Sequence, residues 1–475
     1  MNAVFVGILA YIGAQLLLGL LVSRHIETEA DYLLGGRNLG TVRAVFTIFA
    51  TWFGAETCIG SAGEAYASGI AGTTADPFGY ALCIFLMAAV FAVPLWKLKL
   101  TTLADLFRFR FGLGSERAVV LLLVPTSLLW AAAQVRAFGQ VLGATSGWEL
   151  DVTISLAALV VIIYTSAGGF LADVWTDLVQ GIVLVVGLVV LAAAVWSSGE
   201  ASALARLPPD ALSFSARGES WLGTFERWSV PVFGSLVAQE LVSRVVAART
   251  AETARRSALL ASVLYLGVGL IPLSVGLIAA ATMPEIADPE QVLVLYAERH
   301  LSDVMYVVFA GALVSAILST VDSSLLVSGS LVAHNIIVPL RPDLDERGKL
   351  RVNRAAVVAF GVIAYLLARS ADSVYGLVEE ASAFGSAGIF VAVVLGLFTR
   401  VGGNASALAS MITGAAVYVV GDHALALPHP YTTSLFAAAL AYFACAGFGS
   451  RERSSASATA NDPPIRGSVL EPSAH

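Results

Sequence analysis

Apolar runs of about twenty residues recur along the whole chain, and a run of that length crosses a bilayer's hydrocarbon core as one helix. About thirteen such runs are read here: 3–23, 41–68, 75–96, 118–144, 150–167, 171–196, 228–248, 257–282, 302–338, 352–369, 373–398, 403–420 and 430–448. Backbone N–H and C=O groups in lipid find no water, so each must be satisfied within its helix. The expected fold is an all-α membrane protein. Composition agrees: 57% of the 475 residues are hydrophobic and 13% charged, against about 25% charged in soluble chains. The run 302–338 is too long for one straight crossing and is expected to tilt or to continue beyond the bilayer. The first run lacks a basic leader and a small-residue cleavage site, so it is expected to be a retained span.

Basic residues alternate between loops. Lys97, Lys99, Arg108, Arg110 and Arg117 lie in loop 97–117, and Arg341, Arg347, Lys349, Arg351 and Arg354 in loop 339–354. Segment 249–256 adds Arg249, Arg255 and Arg256, whereas loop 283–299 carries Glu285, Asp288 and Glu290. Because basic loops stay cytoplasmic, the expectation is a multi-pass cell-membrane protein with the N-terminus outside and the C-terminus inside. An odd number of spans fits that parity. Residues 1–450 read as one membrane domain, 198–227 as an outer linker with Pro208 and Pro209, and 451–475 as a disordered cytoplasmic tail. Cys58, Cys83 and Cys445 sit inside apolar runs and form no disulfide or metal spacing. No HExxH, GxSxG or paired-His motif occurs, which argues against an enzyme. The lipid bilayer is the one extended partner implied; neither nucleic acid nor an obligate protein partner is.

Each ionisable group within a span costs about 2.5–3.5 kcal/mol on insertion scales and calls for a reason. Glu56, Arg136, Asp177, Glu240, Arg244, Asp322, Glu379 and Glu380 are such groups. Asp173 and Arg244 are expected near an interface, where long side chains reach water. In SAILSTVDSSLLVSGS (315–330), Ser319, Thr320, Asp322, Ser323 and Ser324 crowd within three turns. Hydroxyls and carboxylate are hard oxygen donors suited to a small alkali cation. The competing reading is close helix packing, with each hydroxyl bonded to the carbonyl a turn earlier. Ser319 and Thr320 project about 100° apart on a helix.

Two spans carry helix breakers. FATWFGAETCIG (49–60) has Gly54 and Gly60, and WSVPVFGSLVAQELVSR (228–244) has Pro231 and Gly234. A broken helix frees carbonyls at membrane depth, the device by which secondary transporters build ion sites. The breaks fall in spans two and seven, so spans 2–6 and 7–11 read as halves of an inverted repeat, with spans 1, 12 and 13 peripheral.

Three further stretches carry a family resemblance over about residues 3–448. ADYLLGGRNLG (30–40), YTSAGGFLADVWTDLVQG (164–181) and AILSTVDSSLLVSGSLVAHNI (316–336), in that order, resemble the sodium:solute symporter family. The resemblance implies a LeuT-type core of five plus five helices. It also implies a Na+ site built from carbonyls of Ala50 and Phe53 in span two, the Ala316 carbonyl, and the Ser319 and Thr320 hydroxyls. Asp177 matches an acid that in some members belongs to a second sodium site. ATWFG (50–54), DPFGY (76–80) and LLWAAA (128–133) are similar to the choline-transporter branch, which holds a quaternary ammonium among aromatic rings. The matching rings are Trp52, Tyr80 and Trp130. The fourth ring position corresponds to Ala238, and the family's Gln-Arg reads Ser243-Arg244. Thr57 and Gln239, next to Glu56 and Ala238, complete the expected solute site.

Glu56 and Arg136 depart from the choline pattern. A branch that carries acidic sugars uses an Arg in the fourth span for the substrate carboxylate, which places Arg136 in the expected site. Glu56 then either meets an ammonium or pairs with Arg136. The expected function is sodium-coupled import of a small organic solute: a zwitterion, a carboxylate or a quaternary ammonium. Proton coupling through Glu56 or Asp322 is the nearer alternative. A membrane sensor on the same scaffold is the other, and the tail 451–475 reads as too short for its output domain.

Overall fold

The computed structural model describes residues 3–24, 26–371 and 373–456. Among these residues the regular structure is helical, apart from an isolated parallel bridge between Leu39 and Ala248. The first helices are α1 (Ala3–Ser23), α2 (Glu29–Leu34), α3 (Thr41–Trp52), α4 (Ser61–Ser68), α5 (Tyr80–Leu86), α6 (Ala92–Lys97) and α7 (Leu103–Arg110). They continue with α8 (Leu113–Ser146), α9 (Leu150–Ser197), α10 (Trp221–Ser229), α11 (Gln239–Val246), α12 (Ala251–Thr282), α13 (Val292–His300) and α14 (Asp303–Val332). The last are α15 (Val338–Leu340), α16 (Glu346–Ser370), α17 (Val374–Ala383), α18 (Ser386–Phe398), α19 (Asn404–Val419) and α20 (Pro430–Ala456).

Eight helical stretches among the described residues are long and apolar enough to cross a membrane, or nine if the bent pair α17–α18 counts as one. That is fewer than the thirteen expected. A count by continuous length passes over interrupted helices: α3 alone has 12 residues, and α11 has 8. It also merges neighbours, since 56–97 and 150–197 each count once. In α9 the merger hides a reversal at Gly169, whose φ is +55°. Tyr164 donates to Thr176 Oγ1 at 2.7 Å, although a straight helix would hold these residues about 18 Å apart. A Cβ on Gly169 would also strike the Tyr32 ring. The run 302–338 is one helix to Val332, followed by a π-helical turn and α15. Helix α20 continues past the expected domain boundary at 450; residues 457–475 of the expected tail lie outside the described residues.

Helix α14 forms the centre. It is buried from Phe309 to Leu331 and packs on α3, α8, α9 and α16. At the end bearing loops 97–117 and 339–354, the two interrupted helices are joined at their roots. Leu39 N donates to Ala247 O (3.2 Å) and Arg249 N to Leu39 O (3.0 Å). Nearby, Asn335 donates to Asp105 (2.9 Å) and Glu116 (3.0 Å) and accepts from Thr102 (2.9 Å), tying α7 and α8 to the turn after α14.

Arg244 does not reach an interface, contrary to expectation. It is 1% exposed and donates to Asp173 Oδ2 at 2.6 Å and to Ser323 Oγ, with Asp177 Oδ2 3.7 Å away. The expectation failed because both residues face the α9–α11–α14 seam and pair there with each other. Removing the guanidinium strands a buried carboxylate, which costs about 3–5 kcal/mol. Arg244→Met is therefore expected to lower the unfolding temperature in detergent sharply. Arg244→Met combined with Asp173→Asn is expected to recover most of that loss.

Candidate functional site

The break in the first interrupted helix organises the site. After Trp52 the chain leaves helical geometry (Phe53 φ −89°, ψ 73°) and resumes through a π-helical turn, Glu56–Gly60, into α4. The freed backbone groups are taken by side chains from three other helices. Thr320 Oγ1 on α14 lies 3.0 Å from Thr51 O. Tyr265 Oη on α12 lies 3.3 Å from Trp52 O. Gln134 Oε1 on α8 accepts from Ala55 N at 2.9 Å. Unsatisfied groups at this depth would each cost several kcal/mol.

Glu56 lies just past the break, 1% exposed. Its Oε2 accepts from Gln134 Nε2 at 2.7 Å and its Oε1 from Trp130 Nε1 at 3.3 Å. Gln134 thus holds both the broken backbone and the carboxylate. Gly54 sits at the meeting point: a Cβ there would lie 2.5 Å from Glu56 Oε2, 2.8 Å from Thr320 Oγ1 and 3.0 Å from Gln134 Oε1. The expected solute-site carboxylate and an expected sodium-site hydroxyl therefore flank one glycine.

A cavity of about 1050 Å³ rises from this point toward loop 198–220. Glu56, Tyr80 and Ser382 line its inner part, and Tyr80 Oη and Ser382 Oγ lie 3.2 Å apart. Trp130 packs beside Tyr80 (ring centroids 6.3 Å) and edge-on to Trp52 (5.3 Å). Trp52 is 1% exposed, and its indole N–H has no hydrogen-bond partner among the described residues. Trp52, Tyr80 and Trp130 thus lie near one another and near Glu56, with only Tyr80 and Glu56 lining the cavity. Eight carboxylates and two guanidiniums line the cavity. Arg217 is taken by Asp210, and Arg227 by Glu219. Glu226 caps α20 by accepting from Tyr431 N (2.6 Å) and Thr432 N (2.7 Å).

Other expected site residues are placed elsewhere. Arg136 does not join Glu56. Its Nη1 donates to Ala368 O at 3.3 Å, and it lines a second cavity of about 1060 Å³ with Gln140, Glu290 and Tyr375. The cause is helical phase: Trp130 and Gln134 are one turn apart and share a face, whereas Arg136 is rotated about 200° from Gln134. Gln239 is also diverted, its Oε1 accepting from Leu103 N at 2.5 Å where α7 begins. Ala238 is a buried residue capping α11, outside the lining of the large cavity. Thr57 donates to Asp76 Oδ2 (2.5 Å) and lies 2.8 Å from Tyr265 Oη, bracing the break from behind.

The expected sodium ligands divide between two places. Thr320 stays at the break, bonded also to Ala316 O (3.2 Å). Ser319 turns to α9 and donates to Asp177 Oδ1 at 2.5 Å, while Thr47 Oγ1 of α3 donates to Asp177 Oδ2 at 2.5 Å. Asp322 Oδ1 accepts from Thr165 at 2.7 Å, and its Oδ2 has no hydrogen-bond partner among the described residues. Asp173 and Asp177 are thus buried beside Arg244, and Asp322 is buried close to those two acids. Gln134, Asp76, Tyr265 and Thr47 were missed from sequence. Gln134 carried a signal, being polar one turn from Trp130 inside an apolar run.

The fold is that of known ion-coupled transporters. A substrate-bound, outward-open Na+-coupled sialic acid symporter superposes with TM-score 0.79 at 18% identity, over 94% of this chain and 98% of that one. A nucleobase-cation-symport-1 family transporter, closed around bromovinylhydantoin, does so at TM-score 0.60 and 14% identity, over 89% and 95%. The model of the sodium:solute symporter family matches residues 32–414, and the chain belongs to that family. The family is one of multi-pass membrane transporters, not enzymes. Relatives include high-affinity choline transporter 1 of Caenorhabditis elegans (30% identical, 75% of this chain, 66% of the relative) and of Drosophila melanogaster (28%, 74% and 59%). The high-affinity proline transporter PutP of Bacillus subtilis is 24% identical over 86% of this chain and 90% of its own. The chain thus spans about two thirds or less of the length of the first two relatives.

Gly54→Ala forces the Glu56, Thr320 and Gln134 side chains apart, a strain of about 1–3 kcal/mol. The variant is expected to unfold at lower temperature in detergent. Gly267→Ala, where nothing lies within 4 Å of the added carbon, is expected to leave the transition unchanged or raise it slightly. Equal behaviour of the two would overturn the close approach at Gly54.

Proposed function

We propose that this protein is a sodium-coupled symporter that imports a small organic solute bearing a positive charge. The observation that carries the reading is the base of the large cavity. A carboxylate, Glu56, stands there with Tyr80, while Trp130 and Trp52 pack behind them and Arg136 is turned away into another cavity. A carboxylate in a low-dielectric site favours a cation, and aromatic faces add about 2 kcal/mol or more when desolvated. Unpaired acids along the walls, including Glu64 and Glu379, draw cations inward. The orphan indole N–H of Trp52 is a donor that a polar group on the solute would satisfy. A carboxylate solute, or a zwitterion using Arg136, has less support in this geometry.

Sodium would bind at the break, through carbonyls of Ala50, Phe53 and Ala316 and the hydroxyls of Thr320 and Ser319, after Ser319 leaves Asp177. The excess of buried carboxylates supports a second sodium at Asp177, where the Thr47 and Ser319 hydroxyls already converge. Each sodium moving inward gains about 2.3 kcal/mol per 100 mV of membrane potential. About thirteen crossings, with α3–α4 and α10–α11 as the equivalent interrupted helices of a five-plus-five repeat, would let that bundle rock against α14. The N-terminus would lie outside, so that the cavity faces the exterior.

Uptake into proteoliposomes tests the sodium assignment. Ser319→Ala combined with Thr320→Ala is expected to raise the half-saturating sodium concentration by about tenfold or more, a change of about 1.4 kcal/mol. Unchanged sodium dependence would overturn it. For the solute, a thermal-shift screen with and without sodium would compare choline, betaines, amino acids, short carboxylates, acidic sugars and urea. A cationic solute is expected to stabilise only with sodium, and Glu56→Gln to lose that response. Stabilisation by an anionic solute alone would overturn the charge assignment.

A further inference from the structure

The sodium and solute sites leave one cluster of donors unused. Glu380 on α17, and Asp422 and His423 in the π-helical turn Val420–Ala424 that ends α19, each present a ligand atom within 4.8 Å of the others. His423 Nδ1 lies 2.8 Å from Asp422 Oδ2, and His423 Nε2 lies 3.8 Å from Glu380 Oε1. We propose that Glu380, Asp422 and His423 form a binding site for a divalent transition-metal cation such as Zn2+, at the mouth of the large cavity.

The donor set fits that chemistry. One imidazole and two carboxylates suit Zn2+, with bonds of about 2.0–2.2 Å, and a fourth position is left for water. Oxygen donors alone would suit calcium or magnesium better. The imidazole comes from a turn and the first carboxylate from another helix, so the set is not a stretch of neighbouring acids on one surface. Tyr418 Oη donates to Glu380 Oε2 at 3.4 Å, the kind of outer support that orients a metal-binding carboxylate. The three side chains are 30%, 40% and 55% exposed for Glu380, Asp422 and His423. An ion can therefore reach them without the protein opening. No lysine or arginine among the described residues forms an ion pair with Glu380 or Asp422 to compete for the place.

The site also has a consequence for the cavity. Glu380 lies on the same short helix as Ser382, which meets Tyr80 beside Glu56. A bound ion ties that wall of the cavity to α19. Occupancy of the metal site is thereby coupled to the arrangement of the solute pocket, and the coupling is reciprocal.

Calorimetric titration of Zn2+ into the full chain, purified without an affinity tag, tests the site independently of any solute or of transport. Saturable binding in the low micromolar range at near-neutral pH is expected. His423→Gln and Glu380→Gln are each expected to weaken it by about tenfold or more, and His300→Gln, a histidine beside Glu200 elsewhere, to leave it intact. The metal-free unfolding temperature of each variant checks that it is folded, and Asp422→Asn serves in place of one that is not. Absence of saturable binding below about 1 mM, or unchanged affinity in the folded triad variants, would overturn the proposal. In that case His423 serves only as a hydrogen-bond partner of Asp422.

Discussion

Backbone polarity inside a membrane is the constraint on which this structure turns. A span interrupted after Trp52 exposes carbonyls and an N–H to a medium that cannot solvate them. The molecule answers with Thr320, Tyr265 and Gln134, drawn from α14, α12 and α8. Three helices far apart in sequence are thereby fixed around one gap. The same residues define the chemistry there, because Gln134 also holds Glu56 and Thr320 lies across Gly54 from it. The break is a weak point in one helix and the place where the bundle is most tightly specified.

Charge is distributed in the same economical way. Inside the bundle Arg244 adjoins Asp173 and Asp177, Asp322 lies close to that pair, and hydroxyls from Thr47, Thr165, Ser319 and Ser323 cover the three acids. Along the cavity, the guanidiniums are bound to acids of the outer loop and α10 region, and the acids nearest the base are left without one. Both regions hold more carboxyl groups than guanidiniums.

Helix existence was largely legible in the sequence because length and apolarity report it directly. The break near Gly54 was legible because glycine weakens helices. The reading also divided the chain near 69–74 and 168–170, where the structure has the irregular stretch Gly69–Gly79 and the reversal at Gly169, places that a count by continuous apolar length passes over. Site residues divided along the same line. Trp52, Tyr80, Trp130 and Glu56, singled out by residue type, lie near one another in the bundle. Gln134 was passed over because an amide in a span is less conspicuous than a charge. Arg136 stood out because it is charged, but two residues' difference in helical phase from Gln134 sends it away from Glu56.

The sequence by itself determined a helical membrane protein of the sodium:solute symporter family, with interrupted spans and a hydroxyl-rich helix opposite the first. These properties are local: apolar length, helix-breaking residues and motif order all reside in contiguous stretches. Tertiary structure alone decided that Glu56 faces aromatic rings and an amide rather than Arg136. It decided likewise that Ser319 and Thr320 address different neighbours, and that Arg244 is buried. Helical periodicity fixes which face of its own helix a residue occupies, but the neighbour opposite that face is set by how the helices pack.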